Sequence, residues 1–248
     1  MEKRIALTVA YDGTAYCGWQ IQNNGKTIQG ELNRCLTELL GRPTETMGAS
    51  RTDAGVHALG NVAVFDTDSR IPAEKFSYAL NQRLPEDIRI QASQEVRPDF
   101  HPRYCESEKT YEYRILNRRF PLPTQRLYSY FYHYPLDTDK MREAASYVIG
   151  RHDFASFCGA GAQVKTTVRL VTGFSVERAG ETVRLQVSGR GFLYNMVRIF
   201  AGTLIEIGNG VYPPAHMREI LDAKDRGAAG PTAPACGLTL LGIEFLES

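Results

Sequence analysis

Apolar periodicity switches between about two and about 3.6 residues in a fixed order over the first hundred positions, and that order most narrows the fold. Ile5, Leu7, Val9 and Tyr11 alternate with smaller or polar residues, as in a half-buried strand. Thr27 is placed to cap a helix carrying Ile28, Leu32, Cys35, Leu36 and Leu39, which Gly41 and Pro43 stop. Val62-Ala63-Val64-Phe65 predicts a strand, 73–84 a helix entered at Pro72 and ended by Pro85, and 88–96 another strand. Strand, helix, strand, helix, strand defines an α+β unit of split βαβ character.

A second unit begins near Tyr104, where Tyr111, Tyr113 and Ile115 alternate with Thr110, Glu112 and Arg114 as a strand. The segment 120–134 is rich in proline and tyrosine and predicts irregular chain. Asp137 caps a helix bearing Met141, Ala144, Ala145, Val148 and Ile149, closed by Gly150. Strands follow near 170–177 and 182–188, then a long apolar helix over 192–207, a short helix from Pro213 and a closing strand over 237–246. The expected domains are therefore 1–103 and 104–248, built on one α+β plan without a visible sequence repeat.

At 248 residues, with 43% hydrophobic and 23% charged side chains, the chain can bury a substantial core. Its 29 basic and 28 acidic residues leave a net charge of +1, which identifies no partner. Locally, 97–126 holds seven Lys/Arg against four Asp/Glu, interleaved with Tyr104, Tyr111, Tyr113 and Phe120. That mixture suits phosphates and unstacked bases, and equally a solvated strand face. The five cysteines are scattered without a Cys-x-x-Cys, which argues against a disulfide framework and a structural zinc. The five histidines lack metal-ligand spacing. Met1-Glu2-Lys3-Arg4 leads into a strand pattern without a signal-type apolar core, and there is no membrane-length run. A cytoplasmic location without a membrane partner is expected.

Chemistry points first to Gly48-Ala49-Ser50-Arg51-Thr52-Asp53-Ala54-Gly55-Val56-His57. Small residues let backbone approach a ligand, and Gly55 permits a turn closed to bulkier residues. An isolated Asp-x-Gly is usually an Asx turn. Here Arg51, Asp53 and His57 crowd one short loop, which favours a site. Arg198 is the second candidate, because within 192–208 only Arg198 and Glu206 are charged. At about 100° per residue it shares a face with Tyr194, Ala201, Gly202 and Ile205. A buried guanidinium needs an anion. Reaching solvent from the helix edge is the alternative, but this face leaves little polar company, so a carboxylate from the other half is the first partner to expect. Tyr111, beside Lys109, suits stacking on a base, although a strand tyrosine taken alone is usually core. Gly159-Ala160-Gly161 lacks the third glycine of a dinucleotide fingerprint, and position 52 is Thr where a nucleophile elbow needs glycine. What remains is a cofactor-free site built on one Asp.

At these residues the chain resembles the tRNA pseudouridine synthase A family over essentially its whole length. The string Ala49-Ser50-Arg51-Thr52-Asp53-Ala54-Gly55-Val56-His57-Ala58 is highly specific to it. Tyr11-Asp12-Gly13-Thr14, Gly18-Trp19-Gln20, Lys109-Thr110-Tyr111, Phe192-Leu193-Tyr194-Asn195-Met196-Val197-Arg198 and Ala235-Cys236-Gly237-Leu238 agree with it. Asn195 stands where the family often carries histidine.

The resemblance implies two split-βαβ, ferredoxin- or RRM-like halves joined through one antiparallel sheet, with helices on one face and a central active-site cleft. It further implies a homodimer acting without cofactor on uridines 38, 39 and 40 in the anticodon stem-loop of tRNA. By the same resemblance Asp53 is the essential carboxylate, Tyr111 stacks on the target base, Arg198 pairs with Asp53 and Leu238 lies in the apolar wall of the pocket. Arg51, Lys109 and His57 are expected at the substrate, and Arg114, Arg118 and Arg119 at phosphates. Composition and periodicity alone leave this isomerase about even with an RNA-binding module whose Asp53 loop is structural. A hydrolase using Asp53 with His57 is a third reading.

Overall fold

The computed structural model describes residues 2–23, 25–162 and 164–246. The chain divides into two compact units, Met1–Glu106 with Leu240–Ser248, and Ser107–Thr239.

The first unit carries β1 (Lys3–Tyr11), α1 (Ile28–Leu40), β2 (Met47–Gly48), β3 (His57–Thr67), α2 (Phe76–Asn81) and β4 (Ile88–Val96). β1 pairs antiparallel with both β3 and β4, Leu7 lying opposite Ala63 on one side and Ser93 on the other. β3 and β4 are therefore parallel to each other, joined through α2 with β1 inserted between them, which is the expected split βαβ arrangement. Thr27 caps α1 as predicted: its hydroxyl accepts from the Gly30 N–H at 3.2 Å. The helix ends at Gly41, whose φ of +69° suits a residue without Cβ. Ile28, Leu32, Cys35 and Leu36 form its buried stripe. The predicted helix over 73–84 is a 3₁₀ turn at Ala73–Lys75 followed by the short α2. The strand predicted at 62–65 is much longer, beginning at His57, so the Asp53 loop feeds into it directly.

The second unit carries β5 (Ser107–Asn117), β6 (Tyr130–Tyr132), α3 (Thr138–Ser146), β7 (Gly150–Asp153), β8 (Val168–Ala179), β9 (Thr182–Gly189), α4 (Met196–Gly208) and α5 (His216–Ala223). β5, β9, β8 and β7 pair antiparallel in that order. α3 packs on α4 and β8, and α4 packs on β5. The Asp137 carboxylate accepts from the Asp139 and Lys140 N–H groups, each at 3.1 Å, as expected of a cap. The α+β class holds in both units.

Three local expectations change. The irregular segment 120–134 contains β6, which pairs in parallel with β5, Ile115 opposite Tyr130. Gly150 does not close α3; it starts β7 with a φ of +116°. The division also runs between Glu106 and Ser107, not between 103 and 104, and Leu240–Ser248 clusters with the first unit. The last strand, β10 (Leu238–Phe245), explains this. Phe245 packs edge-on against Phe100 with ring centroids 4.9 Å apart, and the Leu246 N–H donates to the Glu106 carbonyl at 2.9 Å.

The Thr27 cap supplies a stability test. Thr27→Ala should lower the unfolding free energy by about 1 kcal/mol, read as a lower urea midpoint at unchanged slope.

Candidate active site

In the first unit the Asp53 loop is held by backbone at close range. The Trp19 N–H donates to the Thr52 carbonyl at 3.1 Å, and the Gly55 N–H to the Tyr16 carbonyl at 3.3 Å. Gly18, at φ +88°, sits where a Cβ would lie 2.6 Å from the Thr52 carbonyl oxygen. Gly13 is equally confined, by the backbone of Val56. The turn over 53–56 closes through the Val56 N–H and the Asp53 carbonyl at 3.1 Å, with Gly55 at φ +77°. A positive φ at the third position of a turn is what glycine supplies most cheaply.

Side chains complete the scaffold. Asn61, fully buried in β3, donates through Nδ2 to the Ser50 carbonyl at 3.0 Å and to Tyr11 Oη at 3.2 Å. Its Oδ1 accepts from the Ser50 N–H at 3.3 Å. Tyr11 Oη lies 2.7 Å from Thr52 Oγ1. Ser50 and Thr52 are thus turned inward, while Arg51 is exposed and Asp53 half-buried. His57 is only 4% exposed; its Nδ1 accepts from the Gly13 N–H at 3.1 Å and lies 3.1 Å from Asp12 Oδ1. The ring belongs to the scaffold under the loop.

The second unit positions the other candidates. α4 starts at Met196, four residues later than the periodicity predicts, because Asn195 adopts φ +61° and turns the chain into the helix. Arg198 is half-buried in its first turn. Its Nε donates to the Ala233 carbonyl at 2.8 Å and its Nη1 to Asn195 Oδ1 at 2.9 Å. The small residues beside it explain that contact: Gly202 lies against the Pro231 carbonyl, and Thr203 Oγ1 accepts from the Gly230 N–H at 3.0 Å. Chain 230–233 can therefore lie directly on the helix. The Tyr113 hydroxyl donates to the Pro234 carbonyl at 2.8 Å, and burial pushes that phenol well above its usual range.

Tyr111 is 7% exposed in β5, its ring edge-on to Phe192 at 5.3 Å. Leu238, 5% exposed, begins β10 directly after Gly237, where a Cβ would meet the Tyr113 ring at 2.7 Å. Lys109 is half-buried in β5 opposite Gly189. Arg114 Nε contacts the Glu112 carboxylate at 2.5 Å and Arg118 Nη1 lies 3.2 Å from Glu181, so two of the three arginines expected at phosphates already have acidic partners, while Arg119 lies over the Phe120 ring. Asn61 and the Ala233 carbonyl are positioning groups that the sequence did not single out, whereas Asn195 was marked there only as a departure from the family's usual histidine. Among the described residues no group of three or more His, Cys, Asp and Glu could hold a metal ion, and no helix is long and apolar enough to cross a membrane.

A loop presenting a carboxylate on a pinned backbone, in an α+β fold, defines the class. Residues 7–105 and 144–245 match the tRNA pseudouridine synthase family, and the chain belongs to this family of isomerases. Similar proteins include the tRNA pseudouridine synthase A of Acetivibrio thermocellus, 47% identical over 98% of this chain and 100% of that one. The tRNA pseudouridine synthase A of Brevibacillus brevis is 47% identical over the same shares. The tRNA pseudouridine synthase A 2 of Clostridium tetani is 49% identical over 97% of this chain and 98% of that one.

Two substitutions test these scaffolds. Asn61→Ala removes the donor to the Ser50 carbonyl and the acceptor of the Ser50 N–H, and should cost about 1–3 kcal/mol of stability, measured by denaturant unfolding. Asn195→Ala removes one of the Arg198 tethers; it should lower turnover more than the melting temperature, and rescue by Asn195→Asp should be partial.

Proposed function

We propose that this chain converts uridines 38, 39 and 40 in the anticodon stem-loop of tRNA to pseudouridine, with Asp53 as nucleophile or base. The observation that carries the proposal is the pinned 50–57 loop in a member of this family: two glycine contacts and one buried amide fix the backbone from which Asp53 projects. The reaction breaks the bond between uracil N1 and the ribose, turns the base, and joins carbon 5 to the same ribose carbon. The proton lost from carbon 5 is balanced by one gained at N1, so the product is an isomer and no electron donor or acceptor is consumed. Asp53 acts by attacking sugar or uracil covalently, or by removing a ribose proton.

Arg198 is proposed to pair with Asp53 and keep it ionised in a cleft poor in water. Its tethers to Ala233 and Asn195 support that role, since a guanidinium already held in place loses little freedom on pairing. Tyr111 is proposed to stack on the extruded uracil, offsetting an unstacking cost of a few kcal/mol. Leu238 would wall the pocket, and Arg51 and Lys109 would meet the RNA backbone. His57 would act through the loop, not on the substrate. The active form is proposed to be a homodimer, which light scattering of the purified chain tests directly.

Incubation with unmodified tRNA, followed by carbodiimide mapping, should place pseudouridine at those three positions. Asp53→Asn should keep the fold and RNA affinity while lowering turnover on the order of 10³-fold or more. Full activity in a clean Asp53→Ala preparation would remove the assignment. Arg198→Leu should damage turnover far more than folding, and unaltered turnover would refute the pairing.

A further inference from the structure

We propose that Arg169 binds a backbone phosphate of the RNA beside the nucleotide that Tyr111 receives; this rests on the function above in taking RNA as the ligand and Tyr111 as its base platform. Arg169 stands in β8 opposite His152 of β7 and is half-buried. Its Nη1 donates to the Val168 carbonyl at 2.7 Å and to the Thr166 carbonyl at 2.9 Å. Both bonds leave from one nitrogen, so they fix the plane of the guanidinium without using its Nε–Nη2 edge. Among the described residues that edge has no hydrogen-bond partner. Its neighbour is Gly191, where a Cβ would lie 3.9 Å from Arg169 Cδ and 3.9 Å from Nε. A longer side chain at 191 would start across the Nε edge; glycine leaves it open.

Gly191 also ties this edge to Tyr111. The next residue, Phe192, sets its ring edge-on to Tyr111 with centroids 5.3 Å apart, and a Cβ at Gly189 would lie 3.2 Å from Phe192 Cζ. Lys109 stands opposite Gly189, two positions before Tyr111 on β5. An aromatic platform, a lysine and the guanidinium edge thus meet around residues 189–192, all within the second unit. Among the described residues no carboxylate acts on Arg169; partial burial lowers its pKa, and the Cys158 thiol is the titratable group that opposes the shift. An arginine stays charged under such a load. A guanidinium drawn partly out of water and held only by neutral carbonyls gains strongly from an anion, and its free edge matches two phosphate oxygens. A nucleic-acid phosphate is favoured over a small free anion by the rings beside it, Tyr111 and the half-exposed Tyr194 of the same 190–195 loop. Flat aromatic faces beside cations are how proteins hold unpaired nucleotides.

The test uses a labelled anticodon stem-loop RNA titrated with the full chain over a series of salt concentrations. Arg169→Gln should raise Kd about tenfold. It should reduce the slope of log K against log salt by about one. Arg169→Lys should keep the slope and recover only part of the affinity, because an ammonium is a point charge and not a fork. A neutral methylphosphonate at one of the two phosphates flanking the target uridine should bring wild type down to Arg169→Gln and leave Arg169→Gln itself unchanged. If the guanidinium only latches residues 166–168, Arg169→Gln loses melting temperature while affinity and slope stay at the wild-type values, and the contact is overturned. Sensitivity confined to a phosphate remote from the target uridine overturns it too. Should Arg169→Gln not fold, a reduced slope in Arg169→Lys overturns it, and a full slope with weakened affinity supports it. The same RNA separates the two proposals. Wild type that binds it through Arg169 without forming pseudouridine overturns the function, whereas conversion with affinity indifferent to Arg169 overturns the contact alone.

Discussion

In the first unit backbone lies directly against backbone where the chain leaving β1 passes the loop that precedes β3. No side chain fits at Gly13 or Gly18, so residues 50–56 cannot drift away from 13–19 without losing the N–H bonds that join them. Ser50, Thr52 and Asn61 are buried there, and buried polar groups must find partners within the protein. Asn61 meets that demand with both ends of its amide, and Tyr11 and Thr52 meet it with facing hydroxyls. The carboxylate at the tip inherits a backbone with little freedom. A side chain on such a backbone needs little further ordering.

The second unit reaches a similar result by other means. Arg198 is long and flexible, so restraint is applied to the side chain and not to a loop. A carbonyl from chain laid over α4 takes Nε, and the amide of Asn195 takes one terminal nitrogen. Gly202 is what lets that chain come near enough. The stripe of small residues around Arg198, which composition marks only as apolar, is the seat for 230–233.

Legibility of the sequence followed the physics of each element. α1 was readable end to end because its cap, buried stripe and stop are all side-chain properties. β6 was hidden because 120–134 shows no alternation, and β6 is held by backbone pairing and by Asn117 Nδ2 donating to the Tyr132 and Tyr134 carbonyls. α4 looked four residues too long since Phe192 and Leu193 continue the apolar pattern, while the left-handed turn at Asn195 leaves no trace in hydropathy. For the same reason Asp53, Tyr111 and Arg198 could be picked out as residue types, but the Ala233 carbonyl that holds Arg198 could not. Main-chain acceptors carry no residue signature.

The late start of α4 also sets the field around Arg198. In its first turn the residue stands over the positive end of the helix macrodipole, where a cation is disfavoured by a few tenths of a kcal/mol to about 1 kcal/mol. Stability alone would select an acid or a neutral side chain at this spot. A negative group drawn to the guanidinium is favoured by the positive end of the helix as well, so the helix axis and the arginine attract it together.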